Sequence, residues 1–381
     1  MLLDSPFESD IRVEKEAADL IRAGHRVMVI CMVGDGLPLD EVRSGIPIKR
    51  RFPADIKSPF RLSYSSALEG SVAAVLAEEY DALHCHDYHM LTVGALAKAR
   101  REKPLIYDAH EYLAGWPFYR DSPAFTNRLK GCLVWHYEVW AEKTNVPFAD
   151  RVITVSHALS SAMTRRFNLA IPPVVVRNIP RMYEIRGDSA ALHRRFGIPD
   201  GRKVLLYSGA MYHTDRQLEA LYHIVASING VALLILGNRP RHLEAKNLCR
   251  SLGYEGQRVF FGDYVRDPAG RQDLMSGADV ALMHVRSSWE AHRLGSCNKF
   301  LECTFAGLPI VAAYQEDCVA IGKKYGHALF YEEDDDVALK RNIVEAMTNN
   351  STLRRNLSAA RHDLSWETEV KALVDLYAGL A

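Results

Sequence analysis

Much of what this sequence lacks is informative. Its seven cysteines (Cys31, Cys85, Cys132, Cys249, Cys297, Cys303 and Cys318) include no C-x-x-C pair and are scattered through apolar segments. That pattern excludes a disulfide framework and a zinc knuckle, and fits thiols kept reduced. No apolar run reaches the length of a membrane span, and no basic stretch followed by an apolar core opens the chain. The expectation is a cytoplasmic protein, with peripheral contact at the inner face of a membrane left open. Neither sign of charge dominates, because 47 basic residues balance 47 acidic ones. No global field therefore points to nucleic acid. The stretch "VGDGLPLD" has Gly34-x-Gly36 but no third glycine, and Pro38 follows, so it is no dinucleotide fingerprint.

What is present reads as soluble and globular: 381 residues, 48% hydrophobic and 25% charged, enough for two cores of similar size. "IRVEKEAADLIRA", after the candidate cap Asp10, sets Val13, Ala17, Leu20 and Ile21 on one helical face and stops at Gly24. The short runs "RVMVICMV", "PIKRRF", "DALHC", "PLIYDA", "RVITV" and "PVVVRN" read as strands separated by helical segments. The opening strand is short, Met1 falling where a central strand is already under way. The alternation pauses near 178–185 and resumes with "KVLLYS", "VALLIL", "RVFF", "DVALM", "LPIVAA" and "ALFY". Near-continuous apolar strands alternating with helices predict parallel sheets covered on both faces. Two such series predict an α/β protein of two doubly wound, Rossmann-like domains facing across a cleft, residues 1–179 and 180–363. A last amphipathic helix, 364–381, is expected to cross back to the first domain.

Three constellations carry chemistry. In "SCNKFLECTFAGLPIV", Ser296 can cap a helix whose free N–H groups attract an anion. Lys299 falls in the first turn and Glu302 one turn on, while Leu301 and Phe305 mark the core side. A phosphate at the helix end with a ribose beyond it would account for both charges; an exposed i,i+3 ion pair would equally do so. In "VLLYSGAMYHTDRQLEALYHI", Thr214 and Gln217 have capping-box spacing. Arg216 sits in the first turn and Gly209 lets a ligand approach the backbone. The alternative is an exposed arginine at a helix start. The third is "LHCHDYHM" with "YDAHEYL", which gathers His84, His86, Asp87, His89, Asp108, His110 and Glu111 at two strand ends. A metal site, a general base or phosphate-contacting histidine, and structural hydrogen bonds are all open to it. Its H-x-H-D-x-H run places the aspartate one position early for the metallo-hydrolase pattern.

These segments, with "SDIRVEKEAADLIRAGHRVMVI", "RVITVSHAL", "LLILG", "VFFGDYV" and "GADVALM", occur in an order that resembles glycosyltransferase family 4 over nearly the whole chain. That is the retaining, metal-independent branch of the GT-B architecture. The resemblance implies an acceptor-binding first domain and a second domain that binds a nucleoside-diphosphate sugar. It implies catalytic roles for His110, over the transferred sugar, and for Arg216 and Lys299, on the diphosphate. The donor would be held by Gly209, Arg216, Ser296, Asn298, Lys299 and Glu302, with Glu302 on the ribose. Asp10, Arg12 and His86 would lie on the acceptor side of the cleft. No metal and no cofactor besides the donor are implied, and the acceptor would be a glycan, a lipid-linked molecule or a small molecule. Two positions depart from the family pattern: Leu294 stands where a second glutamate is usual, and Ala210 where an arginine often follows the glycine. The competing readings are a metal-dependent hydrolase built on His84, His86 and His89, and a sugar-nucleotide epimerase on the same scaffold.

Overall fold

The computed structural model describes residues 1–8, 10–121, 124–209, 215–237, 240–285, 287, 289–295 and 298–380, apart from the side chains of Phe118, Asp121, Asp215, Arg216 and Pro240. The chain forms two compact units. The first comprises Met1–Asn178, Leu294–Ser296 and Glu369–Ala381; the second comprises Ile179–Arg293 and Cys297–Thr368.

The first unit is built on strands β1 (Val29–Met32), β2 (Asp40–Arg43), β3 (Ile46–Phe52), β4 (Leu83–His86), β5 (Leu105–Ala109), β6 (Arg151–Thr154) and β7 (Val174–Val175). They pair in the orders β1-β3-β2 and β4-β5-β6-β7, all parallel except β2. Leu2 bridges Ile30 on one side and Cys85 on the other, so the opening residues form the short central strand that joins the two ladders. β2 was not expected from the sequence. Its four residues "DEVR" carry no buried face, and it forms because Ser44 (φ +52°) and Gly45 (φ +80°) make a two-residue turn into β3. "PVVVRN" contributes only two residues of strand. Asp10 caps the helix Ile11–Arg22 by accepting from the Arg12 and Val13 amides at 3.1 Å. Val13 and Ala17 from that helix pack on Val29, Cys31, Ile46 and Ile48, and Gly24 (φ +95°) turns the chain out of it.

The second unit holds β8 (Lys203–Ser208), β9 (Val231–Leu236), β10 (Val259–Gly262), β11 (Val280–Met283), β12 (Ile310–Ala313) and β13 (Ala328–Tyr331) in the order β10-β9-β8-β11-β12-β13. Every pairing is parallel. β9 is buried along its whole length, as its unbroken "VALLIL" requires of a strand covered on both faces. The strand order reverses between β8 and β11, and in open parallel sheets the ligand crevice lies at the carboxyl ends of the strands at such a point. Gly209 directly follows β8 there. The helix Asn298–Phe305 buries Phe300, Leu301, Cys303, Thr304 and Phe305. Among the described residues no helix is long and apolar enough to cross a membrane.

Candidate active site

The register of β4 on β5 sets His86 opposite Asp108. Side chains two apart share a strand face, so His84 joins His86, and their rings stack at 4.3 Å. Asp108 is fully buried and is the hub of the cluster. Arg12 Nη2 donates to both of its oxygens, at 3.1 and 3.0 Å, and Arg12 Nε to Oδ2 at 3.3 Å. His110 Nε2 lies 3.2 Å from the same Oδ2. Burial alone would raise the Asp108 carboxyl, but the charges of Arg12 and His110 outweigh it and hold the group well below the usual carboxylate range. Glu16 Oε1 stands 3.0 Å from Arg12 Nε without a hydrogen-bonding geometry. Burial pushes its carboxyl up to about 7, against the pull of Arg12. Burial lowers both His84 and His86, leaving them neutral imidazoles. His84 Nδ1 meets the Tyr377 hydroxyl at 2.8 Å.

The structure gives a definite setting to each of the three residues expected on the acceptor side. Arg12, expected to face the acceptor, is only 5% exposed: its guanidinium is engaged by Asp108 and by the Val176 carbonyl at 2.8 Å. It holds the Asp108 carboxylate in place. His86 is likewise buried, in the stack with His84 and 3.4 Å from Asp108. Asp10 is the helix cap described above. Asp10 and Arg12 do line, with Pro6, Phe7 and Asn178, a cavity of about 390 Å³ in the first unit.

His89 leaves the cluster. Its Nδ1 contacts Asp4 at 2.8 Å and its Nε2 lies 3.8 Å from Glu138, because it is the third residue of the helix Asp87–Arg100 and lies off the strand face that carries His84 and His86. The three histidines of the hydrolase reading therefore do not converge. Glu16, His84, His86 and Asp108 do bring donor atoms within 4.8 Å of one another. Both carboxylates, however, already face the permanent cation of Arg12, so a divalent ion would enter against a like charge. The chemistry of this set is that of a buried ion-pair network.

In the second unit, Gly209 has φ +123°, and a Cβ there would stand 2.7 Å from Lys299 Cε and 3.1 Å from Lys299 Nζ. Only glycine lets that ammonium lie against the backbone at the switch point. Lys299 Nζ also sits 5.2 Å from the centre of the Tyr207 ring, and burial lowers its pKa. Glu302 does not find its ion-pair partner in Lys299. Its Oε1 accepts from Arg271 Nη2 at 2.7 Å, and Arg271 is itself fixed by the Val265 and Arg266 carbonyls at 3.0 and 3.3 Å and by the Tyr264 ring. Asn298 is exposed at the start of its helix. Arg216 is the second residue of the helix Asp215–Ala226, its side chain outside the described set; Ser296, Thr214 and Ala210 also lie outside the described residues. Gln217 reaches Glu333 Oε1 at 2.9 Å.

Comparison with known proteins bears on the fold and the class of enzyme. Residues 11–182 match the family model described as Glycosyltransferase Family 4, and residues 202–349 the one described as Glycosyl transferases group 1. The chain is a glycosyltransferase of the group 1/family 4 type. This glycosyltransferase is 24% identical over 378 residues to an uncharacterized glycosyltransferase of Methanocaldococcus jannaschii, covering 95% of this chain and 91% of that one. It is 25% identical over 415 residues to a D-inositol 3-phosphate glycosyltransferase of Saccharomonospora viridis, covering 97% and 88%. Among solved structures it resembles the sucrose-phosphate synthase of Thermosynechococcus elongatus (TM-score 0.77, 18% identity, 100% of this chain and 98% of that one). It also resembles Anabaena HepE in complex with UDP and glucose (TM-score 0.71, 18% identity, 99% and 98%). The fold is GT-B. The enzyme is a glycosyl-transferring transferase, which sets aside the hydrolase and epimerase readings.

Several residues of this glycosyltransferase's site escape a reading of the sequence. Asp108 stood out only as one polar residue among several, and nothing local to it or to Arg12 couples positions 96 residues apart. Glu16 could have been found from its i,i+4 spacing to Arg12. Arg271 and Tyr377 carry no signal in their own segments.

Proposed function

We propose that this glycosyltransferase moves a sugar from a nucleoside-diphosphate donor to an acceptor hydroxyl, with retention at the anomeric carbon and without a metal ion. The observation that carries the reading is Lys299 lying against the Gly209 backbone at the switch point of the second sheet, with Glu302 one turn further along the same helix. A cation and a glycine-lined backbone suit a diphosphate, and a carboxylate beyond them suits the two hydroxyls of a ribose. HepE, a structural neighbour, has been solved with UDP and glucose, which supports a uridine nucleotide as the first candidate. In the departing diphosphate, negative charge grows as the glycosidic bond breaks, and Lys299 with Arg216 would be preorganised to receive it. Removing one such group costs about 100–1,000-fold in rate. His110 would face the transferred sugar, and the cavity beside Asp10 would take the acceptor.

The test is a thermal-shift panel of UDP, GDP, ADP and their glucose conjugates, run with and without EDTA. A ligand at a hundred times its dissociation constant stabilises the folded state by about 2.7 kcal/mol, a shift of several degrees. If no nucleoside diphosphate raises the melting temperature, or if EDTA abolishes the shift, the reading fails.

A further inference from the structure

Asp87 opens the helix Asp87–Arg100 with a left-handed backbone, φ +61°. Non-glycine residues seldom adopt this conformation, and aspartate and asparagine tolerate it best. The kink sits where β4 gives way to the helix, and it brings the Asp87 carboxylate back onto the end of the neighbouring strand β5. There Oδ1 accepts from the His110 amide at 3.4 Å, and Oδ2 lies 3.3 Å from His110 Nδ1. The opposite ring nitrogen, Nε2, lies 3.2 Å from Asp108 Oδ2. Each nitrogen of one imidazole thus faces a carboxylate oxygen. A ring with a single proton can donate on one side only and would turn a lone pair toward the other carboxylate. Two protons satisfy both sides.

We propose that Asp87 is a positioning residue, which fixes the His110 ring and holds it as an imidazolium. On this view His110 serves the transfer as a fixed cation, with both N–H groups held by carboxylates, and does not act as a general base. The inference rests on the reading of His110 as the residue facing the sugar. Asp108 is fully buried while the side chains of His110 and Asp87 are 22% and 36% exposed, so the accessible edge of the pair is the Asp87 edge. A substrate hydroxyl arriving there can donate to the Asp87 carboxylate while its oxygen lies beside the cationic ring. The surroundings of the ring agree in sign. Burial alone would lower its pKa, but the Asp87 and Asp108 charges outweigh burial and hold it well above the ordinary histidine value. The other groups facing it are His86, whose Nδ1 is 3.3 Å from His110 Nε2, Glu111 next in the chain, and Arg12 with Glu16 behind Asp108. On the Asp108 side His86 is neutral and Arg12 cationic, and the carboxylate in contact with Nδ1 is that of Asp87.

Two substitutions separate charge from backbone. Asp87→Asn tolerates the left-handed φ and keeps an acceptor for the His110 amide, but removes the charge. Asp87→Gly keeps the backbone and removes the side chain altogether. The measurement is an NMR titration of ¹⁵N-histidine-labelled protein, with a His110→Gln variant to assign the signal, alongside the pH profile of UDP-glucose turnover. The wild-type ring is expected to stay doubly protonated well above pH 6.5, and Asp87→Asn to lower its midpoint by about one to three units. Turnover in both variants should fall tenfold or more with its pH profile displaced, while UDP affinity, a property of the second unit, stays as in the wild type. A wild-type midpoint at or below 6.5, or one unmoved in Asp87→Asn, overturns the proposal. If the wild type turns over no UDP-glucose, the donor reading is what fails, and the NMR midpoints still decide the role of Asp87.

Discussion

Replacing Glu302 by glutamine tests two assignments at once. In the folded chain its carboxylate accepts from Arg271 at 2.7 Å, with the two side chains 23% and 9% exposed. Ion pairs at the surface contribute about 0–1 kcal/mol, and breaking a fully buried pair costs about 3–5 kcal/mol. This pair lies between those limits, so roughly 2 kcal/mol of stability should disappear, lowering the melting temperature by about 5 °C at some 2–4 °C per kcal/mol for domains of this size. Glu302→Gln is therefore not neutral for the fold. If the carboxylate also accepts two ribose hydroxyls, the variant loses a further ~1.5–3 kcal/mol of UDP affinity, a factor of about ten to a hundred, read by calorimetry. Arg271→Met provides the comparison. It should lower the melting temperature to a similar extent but cost less affinity, because the carboxylate remains present though unpinned. A Glu302→Gln protein that melts early yet binds UDP as tightly as the wild type would refute the ribose assignment and leave Glu302 as the partner of Arg271 alone.

The buried Glu16 carboxyl, raised to about 7 from 4.5 in the unfolded chain, makes the folded state hold an extra proton between those values. Stability should therefore fall as pH rises from about 4.5 to about 7, by at most about 3 kcal/mol. Glu16→Gln should flatten that part of a melting-temperature profile; an unchanged slope would show that Glu16 is ionised throughout. Gly209→Ala forces a side chain into φ +123° and onto Lys299 Cε, so UDP binding should be lost, while an Ala variant that binds normally would remove Lys299 from the donor site. Elemental analysis of the purified enzyme should find no stoichiometric divalent metal; about one zinc per chain, lost in a His86→Ala variant, would reverse the view of the histidine cluster.

Strands whose two faces are both covered were readable from composition, since "VALLIL" and "KVLLYS" can be satisfied only inside a parallel sheet. The strand β2 was not, because a pairing made through backbone groups at an exposed edge leaves charged side chains free to be anything. The same division runs through the site. Gly209, Lys299 and Glu302 were visible as residue types suited to a nucleotide, and Asp10 as a cap, because each follows a local rule. The partner of Glu302 was not visible, because Arg271 lies 31 residues away and only the packing of two helices brings them together. The setting of Arg12 has a related cause: only the depth of Asp108 under its helix turns the guanidinium inward.

The first unit takes residues from both ends of the chain. Leu2 hydrogen-bonds through its amide to His84 and through its carbonyl to His86, Glu369 receives the Arg177 amide at 2.7 Å, and Tyr377 reaches His84. During synthesis the central strand precedes its second neighbour by some eighty residues. Arg177 must wait for nearly the whole of the other unit to be made before its amide finds Glu369. The strands of each unit fall within one stretch of the chain, 2–175 and 203–331, but the first unit is completed only by Glu369–Ala381. Contacts so distant in sequence form slowly, and domains usually fold in the order in which they are synthesised. Here the order is inverted, and the domain translated first is the one completed last.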